Sequence, residues 1–577
     1  MSQRILFVLA SPEYLRYFDS TITLLADRGH HVSVGVNWLR EQKHARLETL
    51  VVDPRVDLIG QVPGRGDSWV HLARAVRGSF DFLRYLHPAL AGASALRQRA
   101  KTKAAPALVR GLDGITQLDS KTLERFYRVL RVVESAVPVS PRLVDFLRQQ
   151  RPDVVVVSPL VDLMSNQVDM IRAAQSLGIP VALAVASWDN LTNKGHLRVV
   201  PDLVAVWNER QVEEAVTLHG IPREHVTVTG AQLFDRWFER RPSQSRQEYC
   251  SMVGLPDDKP FLLYTGSSIF IARSEFEVPF VRKWLAALRG SGVPSLRDVN
   301  VVLRPHPFNS AAWEQADFSD LGPVTIWPRA RYTPASEASR DVFFDSLYYC
   351  TAVVGINTSA MIEAAILNRP VLSLLTPEFS GTQGGTLHFH YLLPENGGFL
   401  RVASSLEQHV GQLDDVLGHP DASRQQLESF VRTFIRPRGV EQACTPNLAA
   451  ALEAAAAPRE PAREGVGARI ARVLFFPLAL AMALVLPPIN SEGRKSRGWW
   501  RATKETARRW IGRPLERLFK LRRNFGTRVD RRVLAPQRRV AARVRRSAIG
   551  RYRSARSAIG RIKARVLTVA TSERDSR

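Results

Sequence analysis

Short apolar runs recur along the first 455 residues of this 577-residue chain and alternate with stretches of helical spacing. The runs are ILFVLA (5 to 10), HVSVGV (31 to 36), VVVVS (154 to 158), VALAVAS (181 to 187), LVAVW (203 to 207), VTVTG (226 to 230), FLLYTGS (261 to 267), 300 to 303, and 352 to 354. Continuous Val-rich runs, without polar alternation, are strands buried on both faces, which parallel sheets covered by helices require. After the first run, Leu15, Phe18, Ile22 and Leu25 fall at helical spacing and Gly29 follows, predicting a helix over 14 to 28. The fold class is therefore α/β, and the length allows two or three domains. A polar stretch, 240 to 260, reads as a linker between a first αβ domain at 1 to 240 and a second at 261 to 456. Within the first, 60 to 150 is irregular and Arg-rich, and HLARAVRGSFDFLRYLHPAL suggests an inserted helix pair with a solvated basic face.

Two strings in the second half carry the chemistry. In AVVGINTSAMIEAAILNRP (352 to 370) a strand reaches Gly355, and Asn357, Thr358 and Ser359 open a helix with Glu363 one turn in. Free backbone N–H groups, hydroxyls and a positive dipole end at one point suit a pyrophosphate, with the carboxylate in reach of ribose hydroxyls. In LRPHPFN (303 to 309) a strand ends on Arg304 and His306, whose side chains could face the same phosphate from a turn stiffened by proline. Each string alone is also an ordinary βα start or strand end; their order in one αβ alternation favours a nucleotide diphosphate site.

With these strings the chain resembles the two-Rossmann-domain (GT-B) glycosyltransferase superfamily over roughly residues 1 to 455. Within it the likeness is to bacterial envelope-polysaccharide transferases, and the chain is similar to UDP-N-acetylglucosamine 2-epimerases and CDP-glycerol glycerophosphotransferases. The resemblance implies two Rossmann-like domains facing a cleft, with Asn357, Thr358, Ser359, Glu363 and His306 at the donor nucleotide. It also implies that residues 430 to 456 form closing helices that return to the first domain. Many retaining members carry two glutamates with seven residues between them, but the position eight before Glu363 is Gly355. The retaining reading is thereby weakened.

Further positions invite roles. Gly266, Ser267 and Ser268 follow the first strand of the second domain, where members of this superfamily let backbone approach donor phosphates. Gly384 and Gly385 sit in SGTQGGTLHFH (380 to 390), a loop able to close on the donor or simply to move. His388 and His390 could share a strand face as metal ligands, but no carboxylate or cysteine lies near them and no D-x-D triplet occurs, so neither metal nor cofactor is expected. The general base is expected to be Glu13, just after the first strand, or Asp189 in SWDNLTNKG (187 to 195); helix-start and turn-capping roles are the structural alternatives.

The three cysteines, 250, 350 and 444, lie far apart, which excludes a disulfide framework and fits a reducing cytoplasm. The first apolar run is too short for a signal peptide. From Ser491 to Arg577 there are 28 Lys plus Arg against 6 Asp plus Glu, net +22 of the total +25. After a linker at 457 to 472, residues 473 to 489 carry no charge. As a helix they reach roughly 26 Å against a hydrocarbon core of ~30 Å, and three prolines interrupt them. A span would also export the basic tail against the positive-inside tendency. The expectation is a peripheral or monotopic attachment of residues 473 to 577 to an anionic membrane on its cytoplasmic face, with a solvated tail or nucleic-acid tether less favoured. The expected partners are a nucleotide-sugar and a lipid-linked or polysaccharide acceptor. The alternatives are a CDP-activated glycerophosphate or polyol-phosphate transferase and a non-catalytic membrane-tethered scaffold.

Overall fold

In a computed structural model, which describes residues 2–38, 55–329 and 337–486, two fully parallel sheets form. The first has strands β1 (Arg4–Leu9), β2 (His31–Val36), β3 (Val56–Gln61), β4 (Val154–Ser158), β5 (Val181–Ala184), β6 (Leu203–Val206) and β7 (Val226–Val228), in the order β3-β2-β1-β4-β5-β6-β7. The second has β8 (Phe261–Thr265), β9 (Asn300–Arg304), β10 (Val324–Ile326), β11 (Ala352–Gly355), β12 (Val371–Leu374) and β13 (Arg401–Ala403), in the order β10-β9-β8-β11-β12-β13. Both orders reverse direction beside their first strand, the doubly wound pattern that opens a crevice at the carboxyl ends of the central strands. Val154 to Val157 and Phe261 to Tyr264 are fully buried, as their unbroken apolar runs require.

Several elements differ from the sequence expectation. The helix expected over 14 to 28 is a 3₁₀ turn, Pro12–Tyr17, followed by an α-helix, Asp19–Asp27. Phe18 separates them with ψ near 0° and is fully buried among the strands of the first sheet. The stretch 240 to 260 contains a helix, Arg246–Val253, set by a capping box between Ser245 and Glu248. The inserted region holds helices Val70–Arg84, Ser94–Lys101, Pro106–Gly111, Ser120–Ala136 and Pro141–Gln150, not a pair. It is bolted to the sheet by a buried ion cluster in which Arg77 reaches Asp169 at 2.8 Å and Glu134 at 3.1 Å. His388 and His390 sit on a helical turn, Leu387–His390, and not on a strand. The segment 487 to 577, with the basic tail, lies outside the described residues.

The two sheets share a core. Trp188, Trp207 and Phe234 of the first pack with Tyr249, Phe389 and Phe430 of the second, so residues 1 to 489 form one compact unit. After the second sheet the chain crosses back, and helix Thr445–Ala455 buries Leu448, Ala449 and Leu452 among the strands and helix of the first sheet. Leu452→Ala should therefore destabilise the first domain by about 2–5 kcal/mol. Chemical denaturation would check it, and an effect below about 1 kcal/mol would mean the return helix is only loosely docked.

Candidate functional site

The carboxyl ends of β8, β9 and β11 meet the loops after β1, β5 and β7 across a cavity of about 480 Å³, within the size range of small-molecule sites. Gly266 lines it and explains the spacing of its floor. The Gly266 N–H donates to the Arg304 carbonyl at 2.8 Å, and a Cβ at 266 would lie 2.8 Å from the His306 nitrogen. No other residue lets the turn after β8 run this close to the strand end carrying Arg304 and His306. Ser267 is fully buried and points its backbone away, its N–H donating to Glu277 at 2.8 Å. Neither Ser267 nor Ser268 lines the cavity. Glu277 also accepts from the Tyr264 hydroxyl, and burial pushes its carboxyl up to about 8.

Arg304 is 3% exposed, lines the cavity and lies over the Phe343 ring, 5.0 Å from its centroid. His306 is half-buried beside it. Burial, with Arg16 nearby, pushes its imidazole down to about 4, so it is neutral at physiological pH. The Phe308 N–H donates to its Nδ1 at 3.3 Å, which leaves the ring proton on Nε2 as a hydrogen-bond donor. The positive charge at this end thus belongs to Arg304 and to Arg16, which reaches in from the first domain, its guanidinium bonded to the Tyr17 hydroxyl at 2.6 Å.

Thr358, Ser359 and Glu363 line the same cavity. Ser359 precedes helix Ala360–Ile366 without spending its hydroxyl on a cap, so that hydroxyl is available to a ligand. Glu363 is half-buried; burial raises its carboxyl to about 8 although Arg16 and Arg304 favour the charged form. Asn357 does not line the cavity: its amide donates to the Thr382 carbonyl at 2.7 Å and ties down the loop at 380 to 390. Gly384 and Gly385 do not line it either. A Cβ at 385 would lie 2.9 Å from the Gly92 carbonyl, so this loop packs closely on the inserted region of the first domain.

On the first-domain wall the cavity meets Ser187 and Trp188, but not Glu13 or Asp189. Asp189, next in sequence, accepts from the Ser187 hydroxyl at 2.6 Å and the Asn193 amide at 3.2 Å. Burial opposes its ionisation, yet His388, Lys194 and these donors hold its carboxyl below the usual range. The end of this loop is tied to the inserted region. The buried Asp81 carboxylate accepts from the His196 N–H at 2.8 Å and pairs with Arg198 at 2.6 Å, and Gly195 leaves it room. Glu13 stands in the 3₁₀ turn after β1. Among the described residues no group of three or more His, Cys, Asp or Glu could hold a metal ion.

The sequence reading missed Arg16, Asp19, Trp237, Arg236 and Arg240 as cavity residues. Asp19 pairs with Arg236 at 2.8 Å, and burial raises its carboxyl against that pairing. The only available signal was position: Arg16 follows β1, and the other basic residues follow β7, both at carboxyl strand ends.

The fold is two doubly wound, fully parallel sheets of Rossmann type. The sequence matches no protein-family model and no curated protein. Among solved structures, the chain is similar to a UDP-GlcNAc 2-epimerase from Neisseria meningitidis bound to UDP-GlcNAc, at 13% identity and TM-score 0.44 over 78% of this chain and 100% of that one. It is similar to a glycosyltransferase from Rickettsia africae, at 10% identity and TM-score 0.45 over 78% and 98% of the two chains. A third is WaaG, a glycosyltransferase involved in lipopolysaccharide biosynthesis, at 13% identity and TM-score 0.40 over 78% and 98%.

A carboxyl raised to about 8 in the fold and near the ordinary range when unfolded makes the native state hold its proton more tightly, so its contribution to stability falls as pH rises from about 5 to 8. Glu363→Gln should therefore gain melting temperature relative to the parent as pH is raised through this window, read by thermal denaturation at a series of pH values. Parallel curves would exclude the buried carboxyl.

Proposed function

We propose that this chain is a nucleotide-sugar-dependent glycosyltransferase that works at the cytoplasmic face of a membrane on a lipid-linked or envelope polysaccharide acceptor. The observation that carries the reading is the convergence of Arg304, His306, Thr358, Ser359 and Glu363 on one cavity at the switch point of the second sheet, with Arg16 opposite. Arg304 and Arg16 balance the charge of a nucleoside diphosphate. His306 Nε2–H and the hydroxyls of Thr358 and Ser359 donate to its oxygens, and Glu363 takes the ribose hydroxyls. As the glycosidic carbon is attacked, charge builds on the departing diphosphate, and these fixed donors stabilise that charge without rearranging. No metal is required by this donor set.

The acceptor hydroxyl must lose its proton to a group on the first-domain wall. Asp189, held ionised directly behind the cavity-lining Ser187, whose hydroxyl donates to it at 2.6 Å, is assigned that role, with Glu13 as the competing assignment. The apolar helix Val466–Val485, 20 residues at mean hydropathy 1.9, supports membrane attachment.

Thermal denaturation of the full chain with UDP, GDP, CDP or dTDP tests the donor site, because a ligand that binds only the native state raises its stability. One nucleotide should raise the melting temperature, and Arg304→Ala should weaken its binding at least about tenfold, the loss of a charged hydrogen bond. No shift with any of the four would sink the transferase reading. Selectivity for CDP with transfer of a glycerophosphate would move the assignment to that reaction, and binding without turnover of any sugar donor would leave a scaffold. Asp189→Asn should lower kcat by roughly 10²–10⁴ with nucleotide binding intact. If Glu13→Gln shows that loss and Asp189→Asn does not, the base is Glu13.

A further inference from the structure

Helix Val466–Val485 lies alongside the inserted helices of the first domain. Its inward residues Ala471, Phe475, Ala479 and Met482 pack with Trp69, Leu72, Val76 and Phe80 of one neighbour and with Leu130 and Val133 of helix Ser120–Ala136. Arg472 fixes the register by donating to the Ala136 carbonyl at 3.2 Å. Small residues at 471 and 479 allow the close approach. This face packs on protein, so the helix runs alongside its own domain.

Its other face is bare. Val473 is 74% exposed, Leu474 70% and Leu478 49%, continuing Val466 and Ile470 at helical spacing. A soluble protein seldom leaves such a row in water unless something covers it. The neighbouring helix Ser120–Ala136 adds Val129, 63% exposed, and Val132, 51%, beside the exposed Lys121, Arg125 and Arg128. Glu124, the acidic residue exposed on that helix, is paired with Arg131 at 2.7 Å. The chain then continues from Leu486 into a segment whose last 87 residues hold net +22.

We infer that helices Val466–Val485 and Ser120–Ala136 together form a monotopic docking surface for an anionic lipid bilayer. The apolar row enters the headgroup boundary while Lys121, Arg125 and Arg128 meet lipid phosphates. The rim is basic, which fits an anionic bilayer and disfavours a second copy of the same cationic face. This deepens the membrane-attached reading and leaves the nucleotide site untouched. It assigns binding to the enzyme body and the inserted region, in addition to the basic tail.

The test is co-sedimentation of the full chain with vesicles of phosphatidylcholine alone or mixed with equal parts of phosphatidylglycerol. The parent should sediment with the mixed vesicles. V473D/L474D and V129D/V132D should each weaken partitioning at least about tenfold, and R125E/R128E should lower the preference for phosphatidylglycerol below the parent's, the remainder belonging to the basic tail. All these positions are solvent-exposed, and an unchanged melting temperature of each variant confirms folding. Parent protein that ignores both vesicle types would overturn the membrane reading itself. Parent that binds while the variants bind equally well would overturn this surface alone and leave the tail as anchor. Dimers in light scattering that V473D/L474D dissociates, with vesicle binding unchanged, would assign the face to a second copy and overturn the inference.

Discussion

The buried carboxylate of Asp235 holds the two halves of the cleft in register. It pairs with Arg436 at 3.0 Å and accepts from the backbone N–H groups of Cys444 and Thr445 and from the Thr445 hydroxyl at 2.6–2.9 Å. These donors belong to the segment returning from the second sheet, whereas Asp235 follows the last strand of the first. The carboxylate thus fixes the crossover, and the return helix then buries its apolar face on the first sheet. Phe234 and Arg236, on either side of Asp235, line the cavity. One charge cluster therefore sets both the approach of the two sheets and the position of the first-domain wall. Removing such a partner would strand a buried Arg436, a cost of several kcal/mol that no local repacking offsets.

Electrostatics within the cleft follow from that closeness. Arginines 16, 236, 240, 304 and 340 line the cavity against Asp19 and Glu363. Burial raises the Glu363 carboxyl to about 8 and keeps it largely protonated near neutral pH, so it does not cancel the positive field. His306 adds none, being neutral, but offers a directed N–H. Charge comes from guanidinium groups that stay protonated and direction from neutral donors, an arrangement suited to a phosphate whose own charge is then balanced in a water-poor pocket.

How much of this the sequence could show depends on whether a contact is local. Arg304, His306, Thr358, Ser359 and Glu363 were legible because each lies at a strand end, in the turn after it, or in the first turn of the helix that follows, and strand ends at a switch point converge whatever else the chain does. Arg16 and Arg236 were not legible, because their place in the cavity depends on how the first domain sits over the second. The glycines show the same divide. Gly266 is expected from the sequence to let backbone approach donor phosphates, whereas the close approach in the structure is to the Arg304–His306 backbone. Gly385 has the same freedom and meets Gly92, almost three hundred residues away. Asn357 was read as a donor ligand because helix starts favour Asn; the amide instead found a carbonyl, Thr382, brought near only by the folded loop. The capping box at Ser245 and Glu248 was local and readable, but the polar composition around it masked the helix.

The path of the chain decides which domain carries the apolar helix Val466–Val485. The last helix of the αβ body returns to the first sheet, so whatever follows residue 456 starts from that domain. Helix Val466–Val485 then packs on the inserted helices of the same domain. In the proposed function a lipid-bound acceptor would reach the first-domain wall near Ser187 and Trp188 while the second sheet holds the donor. An anchor on the second domain would tie the nucleotide to the membrane and leave the acceptor wall free to tilt away. An anchor on the inserted region, as inferred above, would do the opposite and keep the wall that meets the proposed acceptor at a fixed height above the lipid.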